Sequence, residues 1–242
     1  MKLRDLHPWE MRVREAQAVQ SSLAPTVSRT NAIPEQVRYV AGVDISPPDA
    51  AGTVRGAVVL LSHPDLEIAE VSLAEGVPGF PYIPGLLSFR ETPILVKAFE
   101  RLEFEPDVIV VDGHGYAHPR RFGIACHLGL LTGVPAIGCG KSILVGKHGS
   151  LGAEAGSRAE LLHRDEVVGL ALRTRTDVSP VYVSIGHKVD LSKAAEWVLT
   201  CCDGMRIPKT TRLAHKAAAG QLEPGQRRVP AVVEQAKQTE LL

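Results

Sequence analysis

The sequence predicts an α/β fold on one mixed sheet, in which an antiparallel three-strand meander is followed by alternating helices and strands. Two observations predict it. Between residues 39 and 74, three apolar runs (Tyr39 to Ile45, Val54 to Leu61, Leu66 to Ala74) are separated only by Ser46-Pro-Pro-Asp-Ala-Ala-Gly52 and Ser62-His-Pro-Asp65. Such turn chemistry joins neighbouring strands, and links this short pair them antiparallel. From Leu86 the apolar period changes to that of a helix. Strand-like 107–112, a helix near 122–132 and strand-like 134–139 then alternate.

Taken in order, the chain opens with Pro8, well placed to start a helix that carries Trp9, Val13, Ala16 and Leu23 at roughly helical spacing. Residues 24–37 read as a Pro-containing loop. After the meander and the segment Glu75 to Gly85, the residues Leu86, Phe89, Leu95, Ala98, Phe99 and Leu102 predict a helix to about Glu103, with Pro93 as a break or kink. Asp107-Val-Ile-Val-Val is β-branched throughout, as in a central strand buried on both faces. A Gly-rich loop spans about 146–157. Strands at Val167 to Arg173 and Val181 to Ile185 and a helix at Leu191 to Cys202 complete the core. The chain reads as one domain over 1–242, with its core at about 38–215. Residues from about 220 to 242, with Gly220, Pro224, Gly225 and Pro230, read as a loosely held tail.

Composition narrows the function classes. The apolar runs, such as Ala57 to Leu61, are far too short to cross a bilayer. The N-terminus, MKLRDLHPWEMRVRE, lacks the apolar centre of a signal peptide. Four cysteines (Cys126, Cys139, Cys201, Cys202) without CxxC spacing read as reduced thiols, and the expected location is cytoplasmic. Formal net charge is zero, so any surface for nucleic acid must be a local patch.

The chemistry centres on residues 106–142. The central strand ends on Asp112, followed at once by Gly113, His114 and Gly115, and no acid occurs from Gly113 to Ala153. A lone strand-end Asp often only caps the next turn. Here it has company: the order of meander, helix and β-α-β resembles ribonuclease-H-like domains. Such domains carry acids on the first strand, near the first helix and at the end of the fourth strand. Asp44, Glu91 and Asp112 stand at those positions. Their oxygen donors suit a hard divalent cation and argue against zinc. They are expected to converge in one cleft at the edge of the sheet, close enough to share that ion. Lys141 is placed to steady the attacking water or phosphate charge. Gly140-Lys141-Ser142 is not a P-loop, because Pro135 stands where that pattern needs glycine. His118, Arg120 and Arg121 around Pro119, and Arg206, Arg212 and His215 in a second acid-free segment, read as phosphate-binding. The spacing of His114, His118, His127 and His187 does not make a tetrahedral metal site.

With these motifs in view, the sequence resembles the endonuclease V family over about residues 38–215. The resemblance rests on Gly42-Val-Asp44, Pro81-Tyr-Ile-Pro-Gly-Leu-Leu-Ser-Phe-Arg-Glu91, Asp112-Gly-His-Gly-Tyr-Ala-His-Pro-Arg-Arg121, Gly123-Ile-Ala-Cys-His127, Gly186-His187, Arg206-Ile-Pro and Thr211-Arg-Leu-Ala-His215. It implies that Asp44, Glu91 and Asp112 hold a catalytic Mg²⁺, for which Mn²⁺ substitutes, and that Lys141 and His215 lie at the active site. It implies Tyr82 as a wedge between bases, and DNA containing deoxyinosine as substrate, nicked at the second phosphodiester bond 3′ to the lesion. Gly85, Gly113 and Gly115 are expected to let main chain approach the flipped base, and Pro84, with Pro81, to stiffen the DNA-contacting backbone that carries Tyr82. Two departures stand out: Gly138-Cys-Gly-Lys141 where the family often reads Gly-Val-Ala-Lys, and His215 where some relatives carry an acid. Other readings are a ribonuclease-H-like nuclease acting on inosine-containing RNA, and a non-catalytic binder of inosine nucleic acid. A monomer is expected.

Overall fold

The protein is described by a computed structural model over residues 1–226. Helix α1 (Val13–Leu23) starts five residues after Pro8 and ends in a 3₁₀ turn, Ala24–Thr26. The residues before it, His7 and Trp9, pack as rings against His127 and Phe89 instead of joining the helix. The meander then forms as expected: β1 (Tyr39–Ile45), β2 (Val54–Ser62) and β3 (Ile68–Gly76) pair antiparallel in sequence. The continuous apolar run in β2 has a simple cause. Val58 and Leu60 pack to one side with Ile94, Leu95 and Phe99, while Ala57, Val59 and Leu61 pack to the other with Ala214 and Ala217.

Helix α2 (Leu87–Glu100) runs through Pro93 without a break. It is followed by β4 (Val108–Val111), which lies parallel to β1 with Val43 opposite Val111. Helix α3 (Ile124–Thr132), closed by Gly133 at φ 73°, leads to β5 (Ala136–Gly140), parallel to β4. Next comes a hairpin that the sequence reading half missed: β6 (Arg158–His163) with β7 (Glu166–Leu172). Its turn residues, Arg164 and Asp165, both take positive φ (55° and 61°) without the Asn-Gly or Asp-Gly signature of such turns. The half-exposed outer strand also carries little apolar alternation. Strand β8 (Val181–His187) pairs antiparallel with β5, and α4 (Leu191–Thr200) begins where the Asp190 carboxylate accepts from the Lys193 N–H at 2.9 Å.

The basic segment after residue 205 is a full helix, α5 (Lys209–Ala218). It ends near Gly220, but the expected loose tail does not hold for the residues that follow. Gly225 and Gln226 form a short strand, β9 (Gly225–Gln226), on the outer edge of β3. The rest of that expected tail, 227–242, lies outside the described residues.

Among the described residues the sheet order is β6-β7-β8-β5-β4-β1-β2-β3-β9. This places β1 and β4 side by side in the middle of the sheet, so the acids that end them lie centrally and not at its edge. Helix α5 lies directly on β1: a Cβ on Gly42 would sit 2.0 Å from the Thr210 carbonyl oxygen. Only glycine permits that contact. Gly42→Ala is expected to push α5 off the sheet and to destabilise the fold by about 1–3 kcal/mol, read as a lower urea midpoint with unchanged slope.

Candidate active site

Parallel pairing in register decides where the first two acids stand. Val43 faces Val111, so the next residues, Asp44 and Asp112, end neighbouring strands side by side. Asp44 lies on the α5 side of the sheet, where its Oδ2 accepts from His215 Nδ1–H at 2.8 Å and its Oδ1 from the Ile45 N–H at 2.8 Å. Asp112 is ion-paired with Lys141, which follows the last residue of β5. Glu91 comes from the fifth position of α2, on the other face, and reaches the same region past the strand ends.

A cleft of about 480 Å³ is lined by Asp44, Glu91, Lys141 and His215, together with Arg90 and Tyr82. Asp112 joins this group through Lys141. The three carboxylates feel one another. Burial first, then the charge of Asp44, pushes the Glu91 carboxyl up to about 8, and burial with the Asp112 charge raises Asp44 as well. Burial alone would lower the Lys141 ammonium, but the hydrogen bond and charge of Asp112 outweigh it and hold the group above its ordinary value. Lys141 therefore stays a cation.

Asp44 and Glu91 share the cleft and Asp112 lies next to it, but the three do not form a ready cage. Among the described residues, no three His, Cys, Asp or Glu side chains are gathered closely enough to grip one ion. Lys141 comes to Asp112 from the end of β5, His215 to Asp44 from α5, and Glu91 approaches from the face covered by α2. The donor chemistry nonetheless fits a divalent cation: three carboxylates, one of which, Glu91, burial and then the charge of Asp44 push up to about 8.

Beside the cleft lies a second hollow of about 140 Å³, lined by Tyr82, Pro84, Gly85, Gly113, His114 and Leu144 among others. Tyr82 borders both spaces and is 71% exposed, so it is not a packing residue under its proline-rich turn. Gly85 takes φ 78°, which a side chain rarely tolerates. Its carbonyl oxygen accepts from three donors, Gln20 Nε2 (3.0 Å), His118 Nε2 (2.9 Å) and Arg120 Nη2 (2.8 Å).

That convergence shows what several of the predicted basic residues touch within the protein. His118 is buried. Burial and then the Arg120 charge lower it to about 3, so it is a neutral brace and not a phosphate-binding cation. Arg120 also donates to Gln20 Oε1 at 2.5 Å. Arg121 pairs with Glu166 at 2.8 Å and donates to the His118 carbonyl. Arg206 donates to the carbonyls of Ser179, Pro180 and Lys141, each at 2.8 Å, and Arg212 is held by Asp203 and the Ile207 carbonyl. All four arginines hold protein main chain or acids in place. Gly115 does not face the hollow either: its N–H donates to Ser184 Oγ, and a Cβ there would lie 2.1 Å from the Ile185 carbonyl oxygen. It is a close-packing glycine.

The sequence reading missed Gln20 and Glu166 as supports of this site. Gln20 sits one helical turn after Ala16 on the buried face of α1. A glutamine in that apolar stripe, bound to exit through two main-chain carbonyls, was its one visible signal. Glu166 carried no signal, because its partners Arg121 and Tyr116 are about fifty residues away.

Fold and site define a ribonuclease-H-like nuclease, with acids at the ends of two central parallel strands and a third on the first long helix. The chain belongs to the endonuclease V family: residues 21–216 match the Endonuclease V model. It is 52% identical over 213 residues to the endonuclease V of Gloeobacter violaceus, covering 87% of this chain and 86% of that protein. The crystal structure of endonuclease V from Streptomyces avermitilis superposes with a TM-score of 0.84 at 41% identity, over 91% of this chain and 97% of that one. Endonuclease V of Ciona intestinalis, crystallised with a 24mer DNA containing an inosine followed by a ribo-adenosine, gives a TM-score of 0.75 at 26% identity, over 86% of this chain and 97% of that one.

The elevated Glu91 carboxyl has a stability signature. Between about 4.5 and 8 the folded chain holds a proton that the unfolded chain has lost, so stability falls as pH rises through that window. In chelator, the wild type is expected to lose stability with a slope of at most about 1.4 kcal/mol per pH unit, and Glu91→Gln to flatten it. A slope unchanged in Glu91→Gln would place the titration elsewhere.

Proposed function

We propose that this endonuclease is a metal-dependent DNA repair enzyme that recognises deoxyinosine and hydrolyses the second phosphodiester bond 3′ to the lesion, leaving a nick. The observation that carries the reading is the adjacency of two spaces: a cleft with carboxylates, Lys141 and His215, and a small hollow separated from it by the exposed Tyr82. A base held in the hollow and a phosphate held in the cleft belong to different nucleotides, which supports cleavage away from the lesion itself. The inosine-containing DNA bound by the Ciona relative supports the substrate. The ribo-adenosine in that complex favours inosine-containing RNA as the second reading.

Asp44, Glu91 and Asp112 would hold Mg²⁺ or Mn²⁺. When bound, such a cation lowers the pKa of a water and offsets charge on the scissile phosphate. Lys141, kept protonated by Asp112, places a positive charge beside the phosphate as the attack adds negative charge. His215 donates Nδ1–H to Asp44, which orients the carboxylate and leaves Nε2 to exchange a proton with water. Reaching a base inside a duplex costs about a few kcal/mol of unstacking, and the Tyr82 ring, on a backbone stiffened by Pro81 and Pro84, fills the gap left behind. No helix among the described residues is long and apolar enough to cross a membrane.

Matched DNA and RNA oligonucleotides carrying one inosine, with and without chelator, test the reading. Nicking is expected in Mg²⁺ and lost in chelator; activity indifferent to chelator would sink the metal assignment. Asp44→Ala and Asp112→Ala are expected to abolish nicking with the fold retained, because both side chains stand at strand ends outside the apolar clusters. Tyr82→Ala is expected to lose most activity on paired inosine duplex and much less on single strands, with its melting temperature unmoved. A loss equal on both substrates would remove the wedge role.

A further inference from the structure

The hollow and the cleft share a wall, and one side chain spans it. His114 lines the hollow with one part of its ring, while its Nε2 lies 2.9 Å from the Ser142 carbonyl oxygen. A carbonyl only accepts, so Nε2 carries the proton and donates. The ring also occupies the space that a side chain at residue 140 would take. A Cβ on Gly140 would meet His114 Nε2 at 2.6 Å and Cε1 at 2.8 Å.

The backbone under this ring is held on both sides. The His114 carbonyl accepts from the Ala125 N–H at 3.1 Å, at the start of α3. A Cβ on Gly138 would lie 2.5 Å from the Gly115 nitrogen, so β5 and the loop after β4 touch backbone to backbone. On the far side, Arg206 holds the Lys141 carbonyl at 2.8 Å. The exposed segment that begins with Lys141 is thus pinned at two successive carbonyls, one by Arg206 and one by His114.

We propose that His114 is a positioning residue that couples occupancy of the hollow to catalysis: a base seated against the imidazole fixes the ring, which through Nε2 sets the Lys141–Ser142 backbone and hence Lys141 against Asp112. This rests on the reading that the hollow takes the inosine base. It makes His114 a determinant of discrimination between damaged and undamaged nucleic acid, because an empty hollow leaves the lysine less well placed.

The test uses the full chain with a single-inosine duplex and the matched undamaged duplex, measuring kcat, KM and melting temperature. For His114→Ala, kcat on inosine is expected to fall roughly 10- to 100-fold with little change in KM, since misplacing a reacting group by a fraction of an ångström acts on the chemical step. Cleavage of the undamaged duplex is expected to fall by a much smaller factor, so the ratio between the two drops. His114→Gln, whose amide NH₂ can reach the place of Nε2, is expected to recover most of the loss, and the shorter His114→Asn is not. Gly140→Ala alone should lose kcat as its methyl displaces the ring. His114→Ala with Gly140→Ala should regain thermal stability, because the methyl then has room, yet keep the low kcat because no donor reaches Ser142. Equal kcat in the Gln and Asn variants, or an unchanged inosine-to-undamaged ratio in His114→Ala, overturns the coupling. Should His114→Ala fail to fold, the Gln and Asn pair decides. A wild type with no preference for inosine overturns the reading of the hollow itself, which is a separate failure.

Discussion

The structure depends on placing two acids next to each other where nothing in the fold gains from it. Strands β1 and β4 run parallel in register at the centre of the sheet, with Asp44 next to last in β1 and Asp112 just past the end of β4. Burial and neighbouring charge raise Asp44, and push Glu91 up to about 8, and shifts of that kind gather at functional sites. The neighbours limit the cost. Lys141 from β5 takes Asp112 and His215 from α5 takes Asp44, one from each flank. Both partners are delivered by close backbone packing, of Gly42 under α5 and of Gly138 against the loop after β4.

Around that centre, most of the cationic side chains do mechanical work. Arg120, with His118 and Gln20, fixes the Gly85 carbonyl and so the rim that carries Tyr82. Arg206 fixes the carbonyl of Lys141, and Arg121 ties the loop after β4 to β7 through Glu166. A guanidinium that meets several carbonyls has part of its five donors engaged and its planar fork held in place. The consequence for function is that Tyr82 and Lys141 project from braced backbone while remaining exposed themselves.

How far the sequence went is seen best in particular elements. The meander, the helix after residue 86 and the β-α-β unit were legible because each is governed by local periodicity and turn chemistry, and β1 was bounded to the residue. The hairpin strand β6 was not, because an edge strand needs little apolar patterning and its Arg164–Asp165 turn adopts left-handed backbone without the usual residues. The segment that forms helix α5 was legible only as a basic, acid-free stretch beside the site, not as a helix that packs on the sheet. Its buried face is made of Thr210, Thr211, Ala214 and Ala217, small residues that show weak hydrophobic contrast.

For the site, the sequence by itself singled out the three acids, Lys141 and His215 as candidates, because acids at three matching places in a strand and helix order are a joint signal, and the resemblance to endonuclease V added Tyr82. Tertiary structure decided which charges face the cleft. His118, Arg120, Arg121, Arg206 and Arg212 are as basic in sequence as Lys141, and only the fold shows that their donors meet main-chain carbonyls and carboxylates. Their partners lie from a few residues to about a hundred away along the chain. A hydrogen bond of that range leaves no local pattern, because it is set by which strands become neighbours and not by the residues beside it.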